Sequence, residues 1–322
     1  MNMPKLVAVL LSALAALAPA GPRAATLDPK NWMAQVPGDW KLSQITMPGT
    51  HDTGAILDTP GMPGTAKAQR LTIAEQLDIG VRFLDIRLHY VRALKQLWVN
   101  HGLVGQPYSF DDVLDACYTF LAAHPTETIL MSIKEEVPKF DHSFPYTFEQ
   151  IVADKIEQGK YRWYDLGINP YLEATRGRIV LIRRFKHGGG KQVGGIDATD
   201  WPDNETGPAG DVMNVEDYFN LGDHINDPPY YWDKIAKCTN HMWGSAISDN
   251  SLIWLTFTSG TFMHIGIPRR HSITRLAAYV NPHIRDWIEL GKGMGSYGVV
   301  PMDLIDEATA FDIIDSNARW AP

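Results

Sequence analysis

The sequence predicts an α/β protein built as a distorted, TIM-like (β/α) barrel in a single domain. Seven runs rich in aliphatic and β-branched residues recur along the chain, and helix-like segments separate them. Strands that are apolar along nearly their whole length and alternate with helices are typical of a parallel sheet covered by helices. The runs end in polar or charged residues, and (β/α) barrels carry their functional sites at that end of their strands. A doubly wound open sheet is the alternative, but no glycine-rich phosphate-binding sequence follows the first run.

The first strand is predicted within ITMPGTHDTG (45–54), where Ile45 and Met47 are buried and Pro48-Gly49 turns the chain over the barrel mouth. The other six strands are predicted at VRFLDIRL (81–88), QLWVNHG (96–102), TILMSIKEE (128–136), RIVLIRRF (178–185), LIWLTFTSG (252–260) and YGVVPMDLI (297–305). A regular barrel of this type has eight strands, so we expect an irregular barrel with a weak or missing strand.

Two segments between the runs have the pattern of helices. SFDDVLDACYTFLAAHP (109–125) begins with Ser109 as its predicted N-cap, carries two aspartates in its first turn and stops before Pro125. SITRLAAYVNPHIRDWIEL (272–290) is the second. The Gly- and Asp-rich segment 186–232 is predicted to form a long loop over the site.

Composition limits the classes of partner. The chain has 322 residues and a formal net charge of −8, and no block of Lys and Arg is present, so we expect no nucleic-acid partner. Cys117 and Cys238 are the only cysteines, and they allow either one disulfide or two separate buried thiols.

The N-terminal sequence predicts export. Residues 1–25 contain one Lys near the start, an apolar run from Leu6 to Leu17 and then small residues, which is the pattern of a cleaved secretory signal peptide. The apolar run is shorter than the ~20 residues that a membrane-spanning helix needs. We therefore expect residues 26–322 to form a secreted protein, either extracellular or periplasmic.

Ionisable residues gather at the ends of the predicted strands. Asp85 and Arg87 are two positions apart, so that their side chains face the same side of one strand. The complete set, in chain order, is His51, Asp52, Asp85, Arg87, His101, Lys134, Glu136, Arg184 and Asp303. A His-Asp dipeptide alone is usually part of a turn, and an Asp-x-Arg pair is often an ion pair inside a barrel. The prediction of a polar active site depends on their occurring together at one end of the sheet.

This combination of side chains suits phosphodiester chemistry. One histidine can take a proton from an attacking hydroxyl, and the other can donate a proton to the leaving alkoxide. A guanidinium matches the oxygens of a phosphate and stabilises the charge that develops on them.

Several motifs resemble those of a known family. In order along the chain they are MPGTHDTGA, QLDIGVRFLDIRL, NHG, HPTETILMSIKEE, RGRIVLIRRF, WPDNET and YVNPHI. These are similar to the secreted bacterial phosphatidylinositol-specific phospholipases C of the X-domain superfamily, over about residues 39–305. The resemblance implies a distorted barrel in which the inositol 2-hydroxyl attacks phosphorus, releasing diacylglycerol and inositol 1,2-cyclic phosphate.

The resemblance also implies roles for the residues. His51 would be the general base, held and polarised by Asp303, and His101 the general acid, with Asp52 as its partner. Arg87 would bind the phosphate in the place that calcium occupies in metal-dependent relatives. The remaining implied residues lie around the inositol: Asp85 orients the site, Lys134, Arg184 and Asp217 hold the hydroxyls, and Phe219, with Tyr218 beside it, replaces a stacking tyrosine.

The family includes metal-dependent members, so two versions of the site are open. Asp52, Asp85 and Glu136 could form an oxygen cluster for Ca²⁺ if Arg87 lay elsewhere. We expect the version without a metal or other cofactor, because a guanidinium at the mouth would repel the ion.

The expected partner is a membrane phospholipid surface, contacted transiently by a monomer. The loop SGTFMHIGIPRRHS (259–272) places apolar residues beside two arginines, which suits shallow insertion at a lipid surface, although they could also pack under the barrel rim. The segment 57–70 is a possible second rim element. Two other functions remain open: a metal-dependent glycerophosphodiesterase-type hydrolase and a catalytically inactive inositide- or glycan-binding module.

Overall fold

The computed structural model describes residues 27–136, 148–186, 193–221, 228–261 and 273–317. Within these ranges twelve strands form one sheet, and nine of them pair in parallel with at least one neighbour in a curled half-barrel. The strands are β1 (Met47–Thr50), β2 (Phe83–Val91), β3 (Gln96–His101), β4 (Val104–Ser109), β5 (Ile129–Glu135), β6 (Trp163–Tyr164), β7 (Ile179–Arg183), β8 (Ile196–Asp197), β9 (Thr206–Ala209), β10 (Met213–Glu216), β11 (Ile253–Thr256) and β12 (Val299–Met302).

Helices cover the outer face of this sheet. They are α1 (Ile73–Asp78), α2 (Phe110–Ala123), α3 (Phe148–Gln158), α4 (Leu172–Thr175), α5 (Pro228–Ala246), α6 (Ile273–Leu290) and α7 (Glu307–Asp315). None of the helices in the described ranges is both long and apolar enough to cross a membrane. The segment predicted to be a signal peptide lies outside the described residues.

Eight of the parallel strands follow the order β6-β7-β5-β2-β1-β12-β11-β10, and the ninth, β8, pairs with β7 beside this path. The α/β class is therefore confirmed. Within the described part of the chain, no strand pairing joins β6 or β8 to β9 or β10, and the barrel is open on that side. The irregularity does not come from a missing strand: with β6, β8 and β10, the described residues contain nine parallel strands.

Strand alternation produces two cores. Phe83 faces a cluster inside the barrel together with Met47 and Val299, whereas the next residue, Leu84, faces a cluster shared with the helices. Successive side chains of a strand point to opposite faces, so strands buried on both sides must be apolar throughout. Cys117 belongs to the outer cluster and is a free, buried thiol, as is Cys238, which excludes the disulfide alternative in this structure.

The predicted turn at Pro48-Gly49 is wrong, because both residues lie inside β1. A Cβ atom on Gly49 would lie only 3.0 Å from Phe83 and 3.2 Å from Pro301, so glycine here allows the neighbouring strands to approach. The chain turns after β1 instead, where Asp52 has a left-handed backbone with φ 43°.

The predicted barrel strand QLWVNHG is also wrong in its role. It forms β3, which runs antiparallel to β2 and follows it through a hairpin that pairs Val91 with Gln96. β4 pairs in turn with β3. An apolar run predicts a strand but does not reveal its partner, and this hairpin brings His101 back towards the mouth.

The predicted loop 186–232 contains three short strands, so that prediction is wrong in part. β10 is one of the nine parallel strands and ends directly before Asp217. Its four residues are too few to stand out as an apolar run. Residues 187–192 and 222–227 lie outside the described part of the chain. The two predicted helices are confirmed as α2, with Ser109 accepting the Asp112 N–H at its N-terminus, and α6.

A buried ion pair attaches helix α5 to the strand that carries Asp217. Lys234 is fully buried, and its Nζ donates to Glu216 Oε1 at 2.9 Å and to the Tyr218 carbonyl at 2.6 Å. The second Glu216 oxygen accepts the Thr206 hydroxyl at 2.7 Å. These bonds hold the backbone on both sides of Asp217.

The substitution Lys234→Met is expected to lower the free energy of unfolding by about 3–5 kcal/mol, because it leaves the Glu216 charge buried without its cation. Urea denaturation at pH 7 measures this change. The control is Lys237→Met in the same helix, where the half-exposed ammonium lies 4.6 Å over the Tyr218 ring and contributes at most about 1 kcal/mol. Equal losses in the two variants would contradict the prediction.

Candidate active site

The ends of the parallel strands and of β3 surround a cavity of about 120 Å³. Its lining includes seven of the ten residues predicted for the site: His51, Arg87, His101, Lys134, Arg184, Asp217 and Phe219. The other three, Asp52, Asp85 and Asp303, are buried beside them. The structure therefore brings the whole predicted set together.

The ring of His51 lies between a carboxylate and a guanidinium. Its Nδ1 lies 2.7 Å from Asp303 Oδ1, and its Nε2 lies 2.8 Å from an Arg87 guanidinium nitrogen. A carboxylate accepts and a guanidinium donates, so Nδ1 carries the hydrogen and Nε2 has the lone pair. Burial acts to lower the pKa of His51, but the charge and hydrogen bond of Asp303, together with the charge of Asp85, outweigh it, and the pKa lies above its ordinary value. The geometry makes Nε2 a proton acceptor.

His101 faces His51 across the cavity, with 6.4 Å between the ring centroids. Its Nδ1 lies 2.6 Å from the Ala66 carbonyl oxygen, which can only accept, so this nitrogen also carries a hydrogen. The other nitrogen, Nε2, lies 3.7 Å from Asp52 Oδ2. Asp52 therefore faces His101, as expected, at the distance of an ion pair rather than a hydrogen bond.

Asp52 is a buried carboxylate whose two oxygens make no hydrogen bond within the described residues. Burial raises its pKa, and the charges of His101 and Arg87 act against that rise. The nearest Arg87 nitrogen is 3.8 Å away. The Asp52 carboxylate therefore interacts electrostatically with Arg87 and His101 without a hydrogen bond to either.

Asp85 fixes the direction of two arginines. Its Oδ2 accepts Arg87 Nε at 3.0 Å and the Asp52 N–H at 3.1 Å, and its Oδ1 accepts Arg184 at 3.2 Å. Burial alone would raise the pKa of Asp85, but the two guanidiniums hold it well below its usual range. Asp85 is therefore ionised throughout the neutral range.

Arg87 occupies the centre of the three carboxylates that could have formed a calcium site. Besides Asp85 it lies 3.8 Å from both Asp52 and Glu136. These charges outweigh its burial and raise the pKa of Arg87 well above its ordinary value. The side chains in the described ranges include no group of three or more His, Cys, Asp or Glu suited to a metal ion.

Trp201 is a residue of this site that sequence reasoning missed. The Arg184 guanidinium lies 3.6 Å from its ring centroid, and its Nε1 donates to Asp217 Oδ2 at 2.7 Å. Asp203, two residues later, also lines the cavity. Both lie in WPDNET, which served to identify the family resemblance; their contacts depend on β10, which was not predicted.

The proposed lipid-contacting loop is only partly described. Ser259, Gly260 and Thr261 line the cavity. The residues on which the prediction depends, Phe262, Met263, Ile265, Ile267, Arg269 and Arg270, lie outside the described residues. The prediction for this loop stays untested.

Comparison with known proteins gives a consistent result. Residues 50–185 match the family "Phosphatidylinositol-specific phospholipase C, X domain". A protein named 1-phosphatidylinositol phosphodiesterase from Staphylococcus aureus (strain Newman) is 29% identical over 311 residues, which cover 90% of this chain and 94% of that protein. A protein of the same name from Listeria monocytogenes is 33% identical over 161 residues, 48% of each chain.

A solved structure supports the same comparison. The phosphatidylinositol-specific phospholipase C of Staphylococcus aureus, crystallised with pentafluorophenylalanine incorporated, superimposes with a TM-score of 0.75 at 28% identity. The match covers 90% of this chain and 97% of that one. The resemblance and the distorted barrel fold predicted from the motifs are both confirmed.

The substitution Asp85→Asn is expected to change how stability depends on pH. At pH 7 the variant should be less stable by about 3–5 kcal/mol, because two buried guanidiniums lose their shared carboxylate. The folded pKa of Asp85 is depressed, so its stabilisation is complete above the unfolded value of about 3.9 and is lost as the pH falls towards the folded value.

The difference in unfolding free energy between wild type and variant should therefore narrow below about pH 4. Denaturant titrations at a series of pH values between pH 7 and pH 2.5 measure it. Parallel curves over this interval would contradict the assigned charge state of Asp85.

Proposed function

We propose that this chain, which belongs to the phosphatidylinositol-specific phospholipase C X-domain superfamily, cleaves the phosphodiester of phosphatidylinositol or of its glycosylated form. The products would be diacylglycerol and inositol 1,2-cyclic phosphate. The observation that carries the proposal is the pair of histidines that face each other across one cavity. Each donates its Nδ1 hydrogen to an acceptor, so that its Nε2 is the nitrogen left for proton transfer.

The first step is proton removal from the inositol 2-hydroxyl by His51 Nε2. As this oxygen forms its bond to phosphorus, the resulting imidazolium is stabilised by Asp303 at 2.7 Å. Arg87 now donates to the same Nε2. A bound phosphate would attract that guanidinium N–H to its own oxygens and free the lone pair for the hydroxyl proton.

Arg87 is the group that stabilises charge on phosphorus. Its Nε and Nη2 both lie 3.0 Å from Asp85, and Nη2 also donates to His51. A bound phosphate would meet Nη1 directly and compete for the Nη2 hydrogen that His51 now accepts. The electrostatic benefit is large because the guanidinium is already oriented in a partly buried site.

The second half of the step is protonation of the leaving group. The bond from phosphorus to the diacylglycerol oxygen breaks as His101 Nε2 gives its proton to that oxygen. The Asp52 carboxylate lies 3.7 Å from this nitrogen, on the side of the ring where the proton is held. The proton count balances, because His51 has gained the proton of the 2-hydroxyl and His101 has given one up.

The head group would lie against the remaining lining residues. Lys134, Arg184 and Asp217 supply donors and an acceptor for hydroxyls, and Phe219 supplies a ring face. Phe219 has no hydroxyl, so stacking on the inositol ring is retained without a further hydrogen bond.

The reaction is expected to need neither calcium nor another cofactor. Arg87 takes the place among Asp52, Asp85 and Glu136 that a calcium ion would need. A fixed guanidinium there repels a divalent cation and is paired with all three carboxylates that would supply its oxygen ligands.

We also propose where the enzyme works. The pattern of residues 1–25 favours export to the cell exterior or the periplasm, and a lipid substrate implies transient contact of a monomer with a phospholipid surface.

The decisive experiment is incubation with phosphatidylinositol vesicles in excess EDTA, followed by ³¹P NMR. A cyclic phosphate signal is expected. Cleavage only after calcium is restored would contradict the role of Arg87, and no cleavage under either condition would favour an inositide-binding module. A parallel incubation with a glycosylated phosphatidylinositol distinguishes the two head groups.

His51→Ala and His101→Ala should each lower turnover by about 10²–10⁴-fold, the range of general acid–base catalysis, with the fold retained. The vesicle assay measures turnover. His124→Ala is the control, because His124 lies outside the cavity and bonds to Asn31. Retention of more than about a tenth of the activity in His51→Ala would reject it as the base.

Trp201→Phe is expected to weaken substrate binding more than it slows chemistry. The variant keeps an aromatic ring under Arg184, but Asp217 loses the Nε1–H group that orients its carboxylate. A hydrogen bond to a charged group contributes about 1.5–3 kcal/mol. KM should therefore rise by about tenfold or more while kcat falls less. A fall in kcat with an unchanged KM would contradict this role.

A further inference from the structure

The segment between β1 and α1 contains a loop closed by one carboxylate. Asp58 Oδ2 accepts the Gly64 N–H at 2.9 Å, and its Oδ1 accepts the N–H groups of Thr65, Ala66 and Lys67 at 3.1, 3.1 and 2.8 Å. These backbone donors outweigh partial burial and hold the pKa of Asp58 below its usual range. A single ionised side chain therefore orients four consecutive peptide units.

One of those peptide units contacts the site. The carbonyl oxygen of Ala66 lies 2.6 Å from His101 Nδ1. A carbonyl accepts only, so this contact stabilises the ring with hydrogen on Nδ1 and directs Nε2 towards Asp52 and the cavity. A histidine nitrogen that transfers a proton is selected by the hydrogen bond of the other nitrogen.

The far end of the loop is anchored separately. Gln69 is buried, and its side-chain amide donates to the carbonyl oxygens of His51 and Met302, both at 2.8 Å. The Ala68 and Gln69 N–H groups both donate to Ala55. The position of residues 68–69 is therefore independent of Asp58, and the carboxylate controls the part of the loop that presents the Ala66 carbonyl.

We propose that Asp58 is a positioning residue for the proton donor of this site: it fixes the tautomer and ring direction of His101 through the Ala66 carbonyl. The proposal rests on the proposed function in one respect, that His101 Nε2 protonates the leaving group. Asp58 itself touches neither substrate nor reacting atoms. The sequence of residues 57–70 gives no indication that Asp58 acts on the His101 ring.

The test compares Asp58→Ala and Asp58→Asn with wild type. Asp58→Asn keeps one accepting oxygen but loses the second one and the negative charge. Its effect on His101 should therefore lie between wild type and Asp58→Ala. The matched control is Asp249→Asn, where an exposed carboxylate accepts the N–H of Ser251 in a different loop.

The first readout is the ¹⁵N NMR spectrum of the histidine rings, with the His101 signals assigned by their absence in His101→Ala. Wild type should show one protonated and one unprotonated nitrogen shift at a pH where the ring is neutral. Asp58→Ala should shift both values towards the average of the two tautomers, and Asp249→Asn should not. Unchanged His101 shifts in a folded Asp58→Ala would overturn the proposal.

The second readout uses two substrates with different needs for a proton donor. Turnover of phosphatidylinositol vesicles, with an alkoxide leaving group, should fall about tenfold or more in Asp58→Ala. Turnover of an aryl ester of inositol 1-phosphate whose phenol has a pKa near 7 should fall less than about threefold, because that leaving group needs no proton. Equal losses on both substrates would overturn the proposal.

The two proposals fail in different ways. If wild type cleaves neither substrate, the proposed function is wrong, and the NMR spectra alone decide whether Asp58 positions His101. If Asp58→Ala does not fold, the same spectra and rate ratio are measured on Asp58→Asn, and wild-type values there would overturn the positioning role.

Discussion

The buried carboxylate of Asp85 is the interaction on which the mouth of this barrel depends. It accepts from Arg87, Arg184 and the Asp52 backbone, so one anion orients two cations and the turn after β1. Burying this many charges is unfavourable unless each finds a partner at good geometry. The arrangement of donors on both oxygens meets that condition, and it also sets the direction in which Arg87 reaches His51.

The turn after β1 explains how adjacent residues serve opposite sides of the cavity. The left-handed backbone of Asp52 turns its side chain away from that of His51. His51 consequently meets Asp303 from β12, while Asp52 meets His101 from the β2–β3 hairpin. Each histidine thus receives a carboxylate from a different part of the chain, and neither pairs with the carboxylate nearest to it in sequence.

The predictions succeeded where a residue's position along a strand was enough. Asp85 and Lys134 lie within apolar runs that do form parallel strands, and Arg184 follows one; strand geometry then places them at one rim. Predictions fail where strand pairing decides the outcome: QLWVNHG forms a hairpin strand instead of a barrel strand, and the predicted loop 186–232 contains β10. Trp201 was missed for the same reason, since its bond to Asp217 requires β10 to lie in the sheet.

The sequence by itself determined the α/β class, the polar rim and the identity of the ionisable side chains, because strand periodicity and residue chemistry are local properties. Only the tertiary structure decided which nitrogen of each histidine donates its hydrogen to an acceptor. That choice depends on acceptors supplied from far along the chain, Asp303 for His51 and the Ala66 carbonyl for His101. A hydrogen bond between such distant residues is a property of packing, and no short stretch of sequence encodes it.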